Sequence, residues 1–472
     1  MCGVVGVFNA KNPFSVLSET LTALQYRGEQ GAGLVLAKKN GDFLHQCIPG
    51  LNLELSKKIG SLNLNETDYF AGIGHLRYGT SGSRCSPENT QPLYCETSWG
   101  KIYIGHNGDT PYFKEMKESL AAQGKVFSTD SDTEFILHYI GLSKEKDPIA
   151  AIKDGLRSYK GTYALVMLIE TSDGIKLIAA RDPSGNRPLA LGKLGDGYIV
   201  ASENSAFETV AGEFIREIDA NELLVISENG IQKHYIDAFR VISRPVFDRL
   251  HQCIFENIYF SFPSSTVFGI PVDLFREELG RKAARRYGHL VGDSDVITNP
   301  PDSSNFFVDG FCKELKKQPE RVFLRRHSIR SFTQESDEAR DVALRKKHSI
   351  IGRLVNEKRV KIIDDSLVRG RTSRKLVRSV RSHGAISVGV ILGCPPLIGP
   401  CQKGIDMEDL IAAKHMVNEQ VDTEAIRKEI EADSLGYLTL DDVFEVIKSF
   451  KQDPENFCFG CFQNKEPIWH KW

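Results

Sequence analysis

A cysteine directly behind the initiator methionine, in MCGVVGVF, puts a thiol and, once Met1 is removed, a free α-amine on one residue. Such an amine can take the proton of its own side chain, so nucleophile and base arrive together. Further along, GHLRYGTSG (74–82) sets Arg77 among glycines that let a ligand approach the backbone, and an arginine fork holds a carboxylate bidentately. IGHNGD (104–109) places the Asn107 side-chain amide beside the Gly108 N–H, a donor pair suited to an oxyanion. STDSDTEF (128–135) offers Asp132 as acceptor for an ammonium group. Each has a plainer reading: Arg77 as a surface ion pair, Asn-Gly as a hairpin turn, Asp132 as a helix cap. With Cys2, however, they make up nucleophile, base, oxyanion donors and anchors for both ends of an α-amino acid. That set suits hydrolysis of a side-chain amide.

A second grouping lies in KIIDDSLVRGRTSRKLV (361–377), where an apolar run ends on Asp364 and Asp365 and a Ser/Arg/Gly/Thr loop leads into a helical pattern. Paired acids can bind the hydroxyls of a sugar phosphate, directly or through Mg²⁺. Loop amides at a helix N-terminus form an anion site for its phosphate. The alternative is a strand-to-helix turn with solvated acids. A third grouping is Cys458 and Cys461, a C-x-x-C that points to metal or redox chemistry in a reducing compartment. Ten cysteines in 472 residues are too few for a secreted disulfide framework. A net charge of −2 gives no reason to expect nucleic acid or an anionic membrane as partner. No run approaches the ~18 apolar residues of a spanning helix, and Met1 opens no basic-then-apolar leader. A soluble, cytoplasmic protein is the expectation.

These groups need scaffolds. Residues 4–8, 31–37, 102–108, 163–170, 175–182 and 222–227 read as strands, with helices over 15–27, opened by a Ser15 cap, and 132–143. Past residue 235 the pattern changes. A basic helix spans 271–288, and strands at 359–365 and 385–393 flank a helix over 371–384, which is a parallel βαβ unit. The charged stretch 325–348 reads as a loop. Two domains follow, 2–235 and 236–472.

Cys2, RGEQGAG (27–33), HLRYGTSG, HNG, SDTE and GTYALV (161–166) resemble the glutaminase domain of N-terminal-nucleophile amidotransferases. RDPSGNRPLALG (181–192) and ASENSAF (201–207) resemble the amidophosphoribosyltransferase branch, and the 361–377 string resembles the motif by which type I phosphoribosyltransferases bind phosphoribosyl pyrophosphate (PRPP). The resemblance implies an α+β αββα sandwich over 2–235, then an α/β domain with a parallel sheet and a cysteine-containing tail over 236–472. It implies that Cys2 forms a γ-glutamyl thioester, that Asn107 and Gly108 form the oxyanion hole, and that Arg77 and Asp132 hold the ends of glutamine, with Arg27 near the nucleophile. For PRPP it implies Asp364 and Asp365 at the ribose, Ser366 as a further PRPP contact, and Arg369, Gly370, Arg371, Thr372 and Ser373 at the 5′-phosphate. Asp302 and Ser303 of PPDSS (300–304) fall at the pyrophosphate and Arg330 in the loop above it, with Mg²⁺ on Ser303, Asp364 and Asp365. Cys253, Cys401, Cys458 and Cys461 match the ligands of the iron–sulfur subgroup, so a [4Fe–4S] cluster is implied, with zinc as the other occupant.

The implied reaction hydrolyses glutamine and carries the ammonia to C1 of PRPP, giving 5-phosphoribosylamine, pyrophosphate and glutamate, the opening step of purine synthesis. Homodimers or homotetramers and purine nucleotide effectors come with the family, and basic residues between 281 and 286 are candidates for an effector phosphate. Two alternatives differ in the second half: delivery of ammonia to another phosphorylated acceptor, or a regulatory nucleotide-binding domain. Departures motivate them. Asp109 and Tyr112 stand where asparagines are usual, Arg371 replaces a threonine, Ser304 a glycine and Phe262 an arginine. LRRHSIRSF (324–332) keeps Arg326, Arg330 and Phe332 of its loop pattern but loses other positions.

Overall fold

The computed structural model describes residues 1–79, 87–236, 250–292, 294–325, 348–401, 403–405, 407 and 409–464. In the first half the apolar runs pair into two antiparallel sheets. One has seven strands in the order Glu213–Glu217, Ala190–Leu194, Gly197–Ala201, Gly3–Phe8, Tyr69–Arg77, Gly31–Lys38 and Phe43–Pro49. The other has six: Gly230–Tyr235, Glu222–Ser227, Gly174–Arg181, Thr162–Thr171, Gly100–Asp109 and Leu93–Thr97. Side chains alternate between faces along a strand, and here both faces are covered. Val4, Val35 and Ile73 meet Ala164, Val166 and Leu177 between the sheets, whereas Val5 and Leu34 pack outward on Leu17 and Leu21 of helix Pro13–Ala23. On the far side Leu165 and Ile178 pack on Ile136 and Ile152 of helices Thr133–Leu142 and Pro148–Ser158. The result is the expected helix–sheet–sheet–helix sandwich, and two-sided burial explains why its strands read as near-continuous apolar runs.

The first helix does not use Ser15 as its cap. It starts at Pro13, whose fixed φ suits a first turn, and Ser15 instead donates its hydroxyl to Glu66 at 3.0 Å.

The second half centres on a parallel sheet in the order Val296–Thr298, Arg359–Asp364, Ser387–Leu392 and Ser434–Tyr437. Helix Arg371–Ser382 makes the crossover and buries Leu376, Val377 and Val380 against Val360, Ile362 and Val390. Helix Val272–Tyr287 covers the opposite face through Phe275 and Leu279. Its basic residues are committed to acidic neighbours: Arg281 to Glu277 at 2.7 Å, Lys282 to Glu445, Arg285 to Glu314 at 2.9 Å and Arg286 to Asp442 at 2.8 Å. They form ion pairs along the helix surface.

The halves meet along a polar seam. His251 and Cys253 donate their N–H groups to the carbonyls of Ser184 and Asn186 at 2.8 and 3.2 Å. Deeper, the fully buried Arg27 guanidinium pairs with Glu203 of the first half and, at 2.9 Å, with Glu256 of the second. Truncating one partner of such a group strands a buried charge. Glu256→Ala should therefore lower stability by about 3–5 kcal/mol, read as a fall in the urea midpoint. An unchanged midpoint would refute the pairing.

Candidate active sites

Cys2 immediately precedes strand Gly3–Phe8, and its neighbour strand Tyr69–Arg77 delivers Tyr78, whose N–H lies 3.4 Å from the Cys2 sulfur. Arg27 sits beneath, donating Nε–H to the Cys2 carbonyl at 3.1 Å. With its other nitrogens engaged by Glu203 and Glu256, Arg27 fixes the backbone of the nucleophile from below.

Asn107 and Gly108 lie inside strand Gly100–Asp109, paired with Ala164 and Tyr163, and so are not a hairpin turn. The Asn107 Nδ2 is buried and has no partner among the described residues, as an oxyanion donor awaiting its ligand would be. Gly108 has to be glycine, because a β-carbon there would stand 2.0 Å from the Thr162 carbonyl oxygen. Below them His106 donates Nε2–H to the Thr162 carbonyl at 3.0 Å and lies 3.1 Å through Nδ1 from Thr133 Oγ1, with its pKa held down by burial.

Arg77 is 3 % exposed, so it is no surface ion pair, and it donates Nη1–H to the Asn89 carbonyl at 2.7 Å. Asp132 sits at the head of helix Thr133–Leu142 but makes no capping bond; its carboxylate accepts from the Tyr159 hydroxyl at 2.9 Å. Burial raises its pKa to about 6, and the positive charge of Arg77 is among the groups opposing that rise. Asp109 is a second buried carboxyl of the same site, raised to about 7 by burial and then by the charge of Asp132. His106, Tyr159, Glu203 and Glu256 were not singled out in the sequence. His106 and Glu203 do lie within HNG and ASENSAF, whereas Tyr159 and Glu256 fall in none of the motif strings.

In the second half Asp364 and Asp365 end the strand Arg359–Asp364, are 8 % and 4 % exposed, and have raised pKa values through burial first. Asp365 accepts from Ser366 at 2.7 Å and from Ser303, which brings PPDSS to the acid pair. Gly370, with φ +73, turns the chain into helix Arg371–Ser382, so Arg371, Thr372 and Ser373 form its first turn. Ser304 is fully buried with its hydroxyl donated back to the Pro300 carbonyl, so it turns into the loop's own packing. Asp302 pairs with Arg325. Arg326, Arg330 and Phe332 lie outside the described residues. Phe262 lies 5.8 Å from the Tyr26 ring, while its N–H donates to Glu203 at 2.7 Å.

Cys253 and Cys458 sit opposite each other on two short parallel strands, Gln252–Cys253 and Phe457–Cys458. Burial pushes the Cys253 thiol up to about 12 and raises those of Cys401 and Cys461, and the charges of the group act on one another. Arg187 lies beside Cys253 and Cys401, fully buried, with no partner for Nε or Nη1 among the described residues. Among those residues no three His, Cys, Asp or Glu side chains stand as a ready metal-ligating group. No helix of the described residues is long and apolar enough to cross a membrane.

Residues 81–209 match the family model described as a glutamine amidotransferase domain. Over 99 % of its length the chain is 35 % identical to the amidophosphoribosyltransferase of Bacillus subtilis, covering 94 % of that protein. It is 34 % identical to amidophosphoribosyltransferase 3, chloroplastic, of Arabidopsis thaliana, over 99 % of the chain and 84 % of the relative. The solved structure of the Bacillus subtilis glutamine PRPP amidotransferase, complexed with ADP and GMP, superposes with a TM-score of 0.85 at 33 % identity, over 99 % of this chain and 97 % of that one.

The raised acids of the first site give a pH signature. Asp109 and Asp132 keep their protons to about pH 7 and 6 when folded but to only about pH 4 when unfolded. Folding therefore takes up protons, and stability falls as pH climbs through that window. Asp109→Asn should lose less melting temperature than the parent between about pH 5 and 8, and an equal or larger loss would contradict it.

Proposed function

The chain belongs to the amidophosphoribosyltransferase family, and on that premise we propose which residues carry the reaction. The enzyme hydrolyses glutamine and transfers the ammonia to C1 of PRPP, an early transfer in purine biosynthesis. What carries this reading is the full-length likeness, which spans both halves and leaves neither as an unrelated attachment.

In the first half, removal of Met1 frees the Cys2 amine, which takes the thiol proton. The thiolate attacks the side-chain carbonyl of glutamine, whose ends are held by Arg77 and Asp132. Asn107 Nδ2 and the Gly108 N–H receive the oxyanion, and Arg27 holds the nucleophile in place. Collapse expels ammonia, which carries the proton from the amine, and water then releases glutamate from the thioester. Ammonia is mostly protonated in neutral water and then no longer a nucleophile, so its route has to exclude solvent.

In the second half, Asp364 and Asp365 take the ribose hydroxyls, and Ser366, Arg369, Gly370, Arg371, Thr372 and Ser373 take the 5′-phosphate. Asp302, Ser303 and Arg330 hold the pyrophosphate. Two adjacent buried carboxyls with raised pKa values suit a cation, and Ser303, Asp364 and Asp365 would hold Mg²⁺, which supplies positive charge to the departing pyrophosphate. Cys253 and Cys458 face each other on paired strands, and Cys401 and Cys461 act electrostatically on them, a thiol set whose chemistry suits a thiolate-held metal group. We assign Cys253, Cys401, Cys458 and Cys461 to a [4Fe–4S] cluster, with zinc as the competing occupant; its part is to tie three distant segments together. Purine nucleotides, of the kind bound in the Bacillus subtilis structure, are proposed as effectors, and a homodimer or homotetramer as the assembly.

Pyrophosphate release from PRPP, assayed with glutamine and with an ammonium salt, tests this. Cys2→Ala should abolish only the glutamine-dependent part, Asn107→Ala should lower its kcat about 10²-fold, and Asp364→Asn should impair both. Metal-replete protein that makes glutamate but never pyrophosphate would sink the reading. Anaerobically purified protein should be brown with about four irons per chain; a colourless preparation with about one zinc would decide for zinc.

A further inference from the structure

Gly404 belongs to the second half, three residues beyond Cys401, yet it touches the glutaminase site. A β-carbon built on it would lie 3.0 Å from the Gly108 carbonyl oxygen and 3.2 Å from Asp109 Cβ. Its φ of +97 is one that side chains other than glycine's rarely tolerate. Gly108 is itself crowded by Thr162 and His106, whose nearest atoms would stand 2.0 and 2.4 Å from a β-carbon there. The Gly108 peptide is thus gripped between its own sheet and a turn from the other half.

That turn has two fastenings. The Lys403 N–H points to the Cys401 sulfur at 3.4 Å, and the Lys403 carbonyl accepts from Arg187 Nη2. Arg187 comes from the first half, in the loop after strand Gly174–Arg181, where Asp182 anchors the backbone by accepting from Ser184 N at 2.8 Å and Asn186 N at 3.3 Å. A first-half arginine therefore sets a second-half turn, which in turn abuts a first-half oxyanion donor.

We propose that Arg187 and Gly404 are positioning residues for the oxyanion hole, so that glutamine hydrolysis requires the 403–405 turn to be seated on Gly108. This rests on the reading of Asn107 and Gly108 as the oxyanion donors. Donors aimed at developing charge lose their effect when displaced by a fraction of an ångström, whereas glutamine affinity falls to Arg77 and Asp132 on the proposed reading.

The test is steady-state kinetics on the full, metal-replete chain. Gly404→Ala should lower glutaminase kcat about 10-fold or more with the KM for glutamine within about twofold and ammonia-dependent pyrophosphate release retained. Arg187→Lys should show the same split, and it decides the matter if Gly404→Ala fails to fold. Unchanged kcat, a loss expressed in KM, or an equal loss of both activities in a folded variant would overturn the proposal. Asn107→Ala, measured alongside, separates the two failures. If it too leaves kcat unchanged, the oxyanion assignment itself falls; if it loses kcat while Gly404→Ala does not, only the brace is wrong.

Discussion

The arrangement depends on one buried arginine. Arg27 answers Glu203 and Glu256 at once and holds the Cys2 carbonyl. Glu203 also collects the Tyr26 hydroxyl at 2.6 Å and the Ser265 hydroxyl and Phe262 N–H, each at 2.7 Å. No apolar substitute could do this, because a hydrophobic contact tolerates sliding and a fork of charged hydrogen bonds does not. The cost is desolvation of three ions, met only while every partner is present. Alignment of the nucleophile is therefore inseparable from docking of the halves.

Both sites also store carboxyls where water is scarce. Asp364 and Asp365 share one strand end, and Asp109 joins Asp132 behind the oxyanion strand, each raised mainly by burial. A chain selected for stability alone would place amides or apolar groups there. On the proposed assignments the carboxyls meet an ammonium group and a divalent cation, and a dry site strengthens such attraction.

Much of this was legible in the sequence, for identifiable reasons. Strands such as Glu222–Ser227 announce themselves because both faces are buried, and the βαβ unit shows through its Ser/Arg/Gly/Thr junction around Gly370. Asp132 and Asn107 also had cap and turn readings, and placement removes those: Asp132 does not cap, and Asn107 is not in a turn. What stayed hidden was made by tertiary contact. Glu256 finds Arg27 across 229 residues of chain, and an acid in IFENIYF carries no mark of that. Gly404 was one of 40 glycines, distinguished only by what it leans on. Neither the inward turn of the Ser304 hydroxyl nor the acidic partners of the basic helix could be read from the sequence, because both depend on residues that only folding brings near.

The crowding of like charge at Asp364 and Asp365 has a consequence for the protein's persistence. Repulsion between those groups is relieved by whatever neutralises them, and any species that binds only the native form shifts the folding balance toward it in proportion to the logarithm of its concentration. Starved of sugar phosphate and divalent ions, the molecule sits in its least comfortable electrostatic condition. On the proposed assignment, supply of those small molecules also adds to the stability of the folded chain.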